Sequence, residues 1–196
     1  MPLVVSVIFY VCAYLMLVGF FVVERFVRQG EGTKDMGRTG FDRGSTTVVS
    51  VVMGIAFVIV PLAPLWNWLS LGPQLGIWAG VVGVALGVVG LVVRYSAFST
   101  LGRFFTRTLR EQPGHHLVTS GVYRVIRHPG YLSDILIFAG TSLAMHNLIT
   151  VVVVVVLFIP AYVYRIRTEE IMLVTIFGQA YTDYQRSSTR LLPHIW

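Results

Sequence analysis

The sequence predicts an all-α polytopic membrane protein, and three observations lead to this fold class. Of the 196 residues, 55% are hydrophobic and only 12% are charged, about half of the roughly 25% charged fraction of soluble domains. The mean hydropathy is +0.74. Several uncharged stretches are long enough for helices of about 20 residues, the length that crosses a bilayer. Together these features exclude an ordinary soluble fold.

Five apolar stretches predict five membrane-spanning helices within one membrane domain, residues 1–196. The predicted spans cover residues 3–23, 47–66, 74–94, 129–146 and 148–166. The first is expected to be a retained span rather than a cleaved signal peptide, because it is long and no basic residue precedes it. Six consecutive valines in the fifth suggest a strand by composition. A helix is predicted there, because an open strand in lipid leaves backbone groups without hydrogen bonds.

The distribution of basic residues predicts the orientation of the chain. All 15 lysines and arginines are expected on one side, after the first, third and fifth spans, whereas the connections at 66–76 and 146–147 carry none. Because basic loops remain in the cytoplasm, the N-terminus is predicted outside and the C-terminus in the cytoplasm. The formal net charge of +6 is therefore assigned to a surface facing anionic membrane lipid, and nucleic acid is not expected as a partner.

Some classes of site are excluded by residue type and spacing. The single cysteine, Cys12, allows neither a disulfide framework nor a thiolate cluster. No metal site is predicted, because His115, His116 and His128 lack helical i,i+4 spacing and no cysteine or clustered acid joins them. The chain also lacks a phosphate loop and a dinucleotide fingerprint, which excludes a Rossmann-type enzyme.

Two polar segments, 101–134 and 165–193, are the places where chemistry is expected. In the first, Pro129 is suited to the opening position of a helix, with His128 at the cap. The free amides of such a helix start can bind an anionic group such as a carboxylate. A simple helix start without a ligand explains the same residues. The only acid inside a predicted span, Asp134, is expected to snorkel to the interface or to pair with Arg103 or Arg127 rather than to act in catalysis.

In the second polar segment, Arg165 and Glu169 are four residues apart and therefore share one helical face, whereas Glu170 points about 100° away. An arginine before a glutamate is the weaker order for a surface ion pair, so a ligand-clamping role is the alternative considered. The helix is expected to end at Gly178. Residues Tyr181, Tyr184 and 189–193 then return toward the membrane and can cover a site as a lid.

Two stretches carry a combined motif that resembles a known family. They are 117–131, LVTSGVYRVIRHPGY, and 165–184, RIRTEEIMLVTIFGQAYTDY. Over roughly residues 101–193, about half of the chain, the sequence resembles the isoprenylcysteine carboxyl methyltransferase family. Enzymes that methylate phospholipid amines share parts of the motif. Ser133 replaces a frequent glycine and Asp134 a usually apolar residue, so the local packing of the fourth span departs from the family pattern.

The resemblance implies an integral membrane enzyme that moves a methyl group from S-adenosylmethionine to the carboxylate of a prenylated cysteine, with S-adenosylhomocysteine as the product. It implies that Arg165 binds the substrate carboxylate and that Arg165 and Glu169 form the catalytic pair. The residues it implies for cofactor binding are His115, His116, Leu117, Val118, Tyr123, His128, Pro129, Gly130, Tyr131 and Glu169. The compact length resembles prokaryotic members, which suggests a prokaryotic cell membrane and leaves another isoprenoid acid as a possible acceptor.

The expected chemistry requires placement of the substrate more than proton transfer. A carboxylate is already ionised at pH 7 and needs no general base. Its alignment with a methyl donor out of water can supply about 7–11 kcal/mol. Two alternatives stay open at this point. One is a phospholipid amine N-methyltransferase, in which Glu169 or His128 acts as a base, and the other is a non-enzymatic scaffold that binds anionic lipid. The oligomeric state is not predicted.

Overall fold

The computed structural model describes residues 2–27, 42–102 and 117–192, and the regular elements in these ranges are helical, which confirms the all-α class. One 3-10 turn at Gly121–Arg124 precedes α5. The helices in chain order are α1 (Leu3–Val27), α2 (Ser45–Ile59), α3 (Ala63–Trp68), α4 (Ile77–Leu101), α5 (Pro129–Ala144), α6 (Leu148–Phe177) and α7 (Gln179–Ser187).

Three of these helices are long and apolar enough to cross a membrane by themselves: Leu3–Phe26 of α1, Ile77–Leu101 of α4 and Leu148–Phe177 of α6. Helix α2 is apolar but shorter, and α5 has 16 residues. Large apolar side chains along α1, α2 and α4 are exposed, as lipid-facing surfaces require. The protein is therefore an integral membrane protein. The count of five spans and the sidedness of the termini stay predictions.

The helix predicted over 47–66 is divided in the structure. Helix α2 ends at Ile59, a turn follows, and α3 begins at Ala63. Pro61 accounts for the division, since it has no amide hydrogen to donate to the preceding turn. Pro64 lies in the first turn of α3, where a missing amide hydrogen costs little. The carbonyl of Pro61 instead accepts a hydrogen bond of 2.8 Å from the Tyr14 hydroxyl of α1.

Close packing of α4 on α5 depends on glycines. A Cβ placed on Gly83 would lie 2.6 Å from the carbonyl oxygen of Gly140, and one on Gly140 would lie 2.5 Å from the amide nitrogen of Gly87. Such distances leave no space for a side chain, so small residues let the two backbones approach directly, as in other membrane helix pairs. Gly83 and Gly87 of α4 and Gly140 of α5 therefore serve packing.

The connections cluster at two ends of the bundle. At one end, the residues before α4 meet the α5–α6 connection, where Leu75 donates its amide hydrogen to the carbonyl of His146 at 2.9 Å. The side chain of Asn147 caps α6 by accepting from the amide of Thr150. At the other end, α6 runs past the start of α5 to Phe177 and ends at Gly178, whose φ is 55°. The predicted helix end at Gly178 is confirmed.

Asp134 pairs with a residue other than the two expected. Its carboxylate accepts hydrogen bonds from Arg94 of α4 and, at 2.8 Å, from the Tyr162 hydroxyl of α6. The guanidinium of Arg94 also lies 3.8 Å from the centroid of Phe20 and 3.8 Å from Glu24. The expected pairing with Arg103 or Arg127 is wrong for Arg127, which binds Glu170 instead, and Arg103 lies outside the described residues. The α4–α5 contact explains the difference, because it brings Arg94 against Asp134.

Replacing Asp134 with leucine is expected to destabilise the fold by about 3–5 kcal/mol, the usual cost of leaving one partner of a buried ion pair alone. The lower part of that range is expected because Glu24 stays within 3.8 Å of Arg94. The midpoint of thermal unfolding in detergent measures the effect. The matched control replaces both Arg94 and Asp134 with leucine and should recover most of the loss. A single variant as stable as the wild type would contradict the assignment.

Candidate functional site

Tyr131, in the first turn of α5, joins Arg165 and Glu169 of α6. The Tyr131 hydroxyl accepts a hydrogen bond of 3.0 Å from Arg165 Nε and donates one of 2.6 Å to Glu169 Oε2. Pro129 occupies the beginning of α5 and His128 is its N-cap. The structure therefore brings together the arginine and glutamate on one face of α6 with the start of α5.

His128 connects the two adjacent glutamates of α6. Its Nδ1 lies 3.5 Å from Glu169 Oε2 and its Nε2 lies 3.4 Å from Glu170 Oε1. Glu170 points in a different direction from Glu169, as expected. It nevertheless belongs to the cluster, because it pairs with Arg127 at 3.1 Å and with Arg190 at 3.0 Å. Burial disfavours the charged imidazole, yet the bonds to both glutamates raise the pKa of His128.

The raised pKa of His128 leads to a prediction about pH. The charged imidazole stabilises the fold fully below its ordinary pKa of about 6.5, and this contribution is lost as the pH rises through the higher pKa of the folded state. We expect the unfolding midpoint of the wild type to fall over that interval by more than that of His128→Gln. Thermal unfolding of both proteins across the interval measures the difference, and parallel pH profiles would contradict it.

The segment after α7 packs against the residues before α5. The amide of Arg127 donates to the carbonyl of Thr189 at 2.7 Å, and the amide of His128 donates to the carbonyl of Arg190 at 3.1 Å. The Tyr184 hydroxyl donates to the carbonyl of Tyr123 at 2.5 Å. Residues 189–192 therefore lie beside the cluster, where a lid was expected, and Pro193 lies outside the described residues.

The remaining residues that the family resemblance implied for cofactor binding fall into three groups. His115 and His116 lie outside the described residues. Leu117 and Val118 are half-buried at the start of the described segment. Gly130 follows Pro129 in the first turn of α5, where a Cβ would lie 3.6 Å from Phe98. The roles of these residues in cofactor binding therefore stay predictions.

The partner of Arg165 on α2 was not anticipated. Arg165 Nη1 donates to Asp42 Oδ1 at 2.8 Å, to the Ser45 hydroxyl at 2.9 Å and to the Thr46 hydroxyl at 2.8 Å. The only sequence signal was an acid followed by hydroxyl residues just before a predicted helix, a pattern typical of helix starts. That pattern gives no information about a partner more than 100 residues away.

The three acids of the cluster differ in accessibility. The side chain of Glu169 is 23% exposed, whereas those of Glu170 and Asp42 are 7% and 2% exposed. The contacts of Glu169 with Tyr131 and His128 both use Oε2. Nearby, the buried hydroxyl of Tyr181 has no hydrogen-bond partner among the described residues. The cluster therefore offers an accessible carboxylate and a buried hydroxyl that can accept polar groups of a ligand.

Fold and site together define a class of protein: a polytopic α-helical membrane protein with a buried, charged cluster where α6 extends past the start of α5. Comparisons with known proteins then show what the chain is similar to. Residues 83–175 match the family model described as the isoprenylcysteine carboxyl methyltransferase family. This range contains α5, most of α6 and the residues of the Tyr131 cluster on both helices. The chain is similar to this family over these residues.

Individual relatives show the same similarity. The chain is 34% identical over 116 residues to a probable protein-S-isoprenylcysteine O-methyltransferase of Oryza sativa. It is 32% identical over 120 residues to protein-S-isoprenylcysteine O-methyltransferase A of Arabidopsis thaliana. These matches cover 58% and 60% of this chain and 61% of each relative. The chain thus spans about three-fifths of the length of these curated relatives.

A solved structure shares the fold. It is the eukaryotic intramembrane Ras methyltransferase named isoprenylcysteine carboxyl methyltransferase, with a TM-score of 0.58 and 25% sequence identity. The likeness covers 91% of this chain and 63% of the solved chain. The similarity therefore extends beyond the residues of the family model to α1 and α2, and the turn before α2 supplies Asp42 to the cluster.

Proposed function

We propose that the protein transfers a methyl group from S-adenosylmethionine to the carboxylate of a prenylated cysteine or a similar isoprenoid acid at the cytoplasmic membrane face. The observation that carries the proposal is the Arg165–Tyr131–Glu169 chain of hydrogen bonds, which sets a cation and an accessible carboxylate on two sides of one phenol. A guanidinium is suited to an acidic acceptor, and a carboxylate is suited to a cationic donor.

The residues of the cluster fit the methyl donor. When bound, S-adenosylmethionine supplies an electrophilic methyl group on a positively charged sulfur. Glu169 is the acid with an accessible oxygen, so it is the residue proposed to hold the positive charge of the donor. The Tyr181 hydroxyl, which has no hydrogen-bond partner among the described residues, and the ring of Tyr131 would line the same site. His128 keeps Glu169 in place from Nδ1.

The role of Arg165 is to hold and orient the acceptor carboxylate. Its Nε and Nη1 already donate to Tyr131 and to the Asp42 side chain, so a two-pronged grip on a substrate requires exchange of one of these bonds. Because the carboxylate is ionised at pH 7, no base has to remove a proton. Orientation and exclusion of water are then the main contributions of this chain to the rate.

The lipid tail of the acceptor would lie among the apolar helices, since the cluster is at the end of the membrane-spanning segments. We infer that this end faces the cytoplasm, because the basic residues flank it and the opposite connections carry none. The cell membrane of a prokaryote stays the proposed location, and the plant relatives show that the family also occurs in eukaryotes.

Incubation of the purified protein in lipid with a labelled methyl donor, prenylated acids and aminophospholipids tests the proposal. We expect label in a farnesylcysteine product that releases volatile methanol in base, because methyl esters are hydrolysed there and N-methyl groups are not. Base-stable label in phospholipid would instead favour the amine methyltransferase. Absence of transfer together with no binding of S-adenosylhomocysteine would favour the scaffold.

A further inference from the structure

The turn before α2 is attached to α6 at two consecutive residues. Asp42 binds Arg165, and the carbonyl of Arg43 accepts a hydrogen bond of 2.7 Å from the Tyr164 hydroxyl. Arg43 adopts a φ of 44°, and Gly44 follows with a φ of 80°. Left-handed backbone at a non-glycine residue is uncommon, so contacts on both sides hold this turn in a defined shape.

The Asp42 carboxylate is itself held in place. Its Oδ1 accepts from the Ser45 hydroxyl at 2.9 Å, from the Thr46 amide at 3.1 Å and from the Thr46 hydroxyl at 2.7 Å. Burial opposes ionisation, but the bonds from Thr46 and Ser45 and the charge of Arg165 keep the pKa of Asp42 below its ordinary value. Asp42 is therefore a fixed negative charge at a fixed position.

This arrangement restricts the side chain that faces the substrate. A free arginine side chain has about 2 kcal/mol of rotamer entropy. In this protein, three oxygens of the Asp42, Ser45 and Thr46 side chains hold Nη1, and Tyr131 holds Nε. The direction of the guanidinium is thus set from two helices, and one of the two is α2, outside the residues of the family model.

We propose that Asp42, supported by Ser45 and Thr46, is a positioning residue that orients Arg165 toward the carboxylate of the methyl acceptor. The inference rests on the proposed function, since it assigns the acceptor to Arg165. Asp42 does not touch the substrate in this account. It acts by fixing the guanidinium and by balancing its charge before the acceptor arrives.

The test compares Asp42→Ala with Asp42→Asn in carboxyl methylation of farnesylcysteine. Alanine removes the oxygen that holds Nη1, and we expect kcat/KM to fall by about 10- to 100-fold, as small misplacements of an orienting group do. Asparagine keeps an acceptor oxygen in the same place and should recover most of the loss. The affinity for S-adenosylhomocysteine, measured by calorimetry, should stay unchanged in both variants, which also shows that they fold.

A double-mutant cycle separates positioning from a general effect on stability. The affinity of farnesylcysteine for protein saturated with S-adenosylhomocysteine is measured in the presence and absence of Arg165. Asp42→Ala should weaken it in the wild type and have no further effect in Arg165→Ala, because residues that act through one another are not additive. Equal effects in both backgrounds would overturn the proposal.

Matched controls complete the design. Asp183→Ala removes an exposed acid, 58% exposed and paired with Arg186, and should leave kcat/KM unchanged. If Asp42→Ala does not fold, Thr46→Val and Ser45→Ala each remove one acceptor of Nη1 and should lower kcat/KM several-fold. If the wild type methylates farnesylcysteine and the variants of Asp42, Ser45 and Thr46 are as active, the proposed role of Asp42 is overturned and the proposed function stands. A wild type that methylates no acid would overturn the proposed function and this inference with it.

Discussion

Arg165→Ala is expected to abolish carboxyl methylation of farnesylcysteine, with a loss of kcat/KM of at least about 10²- to 10³-fold, while binding of S-adenosylhomocysteine survives. The guanidinium is 4% exposed. It donates a hydrogen bond to the Tyr131 hydroxyl, which in turn donates one to Glu169. Without it, the acceptor carboxylate loses both its charge partner and its orientation, which are the contributions of such a group to the rate.

Two variants control the result for Arg165. Arg165→Lys keeps the positive charge but loses the planar fork of donors, so intermediate activity is expected. Arg186→Ala removes an exposed arginine, 74% exposed, and should behave as the wild type. Calorimetric binding of S-adenosylhomocysteine shows whether each variant is folded. Full turnover by Arg165→Ala would contradict this role and favour amine methylation, in which the accepting group is an amine and not a carboxylate.

Glu169→Gln is expected to weaken binding of S-adenosylmethionine by about 10- to 100-fold, the equivalent of about 1.5–3 kcal/mol for a hydrogen bond to a charged group. The reason is its partly exposed carboxylate, which contacts Tyr131 and His128 through Oε2. Glutamine keeps the shape of the side chain and removes the charge. Equilibrium titration with the labelled methyl donor gives the dissociation constants.

The neighbouring acid supplies the control for Glu169. Glu170 is bonded to Arg127 and Arg190 and its side chain is 7% exposed, so Glu170→Gln should lower the unfolding midpoint and retain most of the donor affinity. An unchanged dissociation constant in Glu169→Gln, or an equal loss in both variants, would contradict the assignment of the donor to Glu169.

The contacts that sequence could predict are those set by helical geometry. The four-residue spacing placed Arg165 and Glu169 on one face of α6, and a proline marked the start of α5 beside them. A glycine after the last apolar residues marked the end of α6 at Gly178. These predictions are confirmed because they depend on the local backbone, where the period of the helix fixes direction.

The contacts that sequence could not predict depend on packing between distant helices. Asp42 and Arg165 meet only because the turn before α2 lies on α6. The partner of Asp134 was sought among arginines outside the third span, whereas Arg94 lies inside α4 and is 3% exposed. Arg94 is the last residue of the third predicted span, whereas α4 continues to Leu101. From the sequence alone, an arginine near the end of a span can belong either to the helix or to the connection that follows it, so its buried partner is not evident.

The division of the second predicted span has a local cause. Hydropathy predicted one helix because residues 47–66 are uncharged, and hydropathy does not depend on the hydrogen bonds that proline removes. The structure ends α2 at Ile59 and begins α3 at Ala63. The apolar composition was read correctly, and the break followed from backbone chemistry that the window average does not contain.

The most direct test of the central claim is a structure of the protein with S-adenosylhomocysteine and a farnesylated cysteine bound together. The account predicts the acceptor carboxylate within hydrogen-bond distance of Arg165 and the nucleoside product beside Glu169, with Tyr131 between them. Ligands bound at the opposite end of the bundle, near Asn147, or a carboxylate with no contact to Arg165 would contradict it.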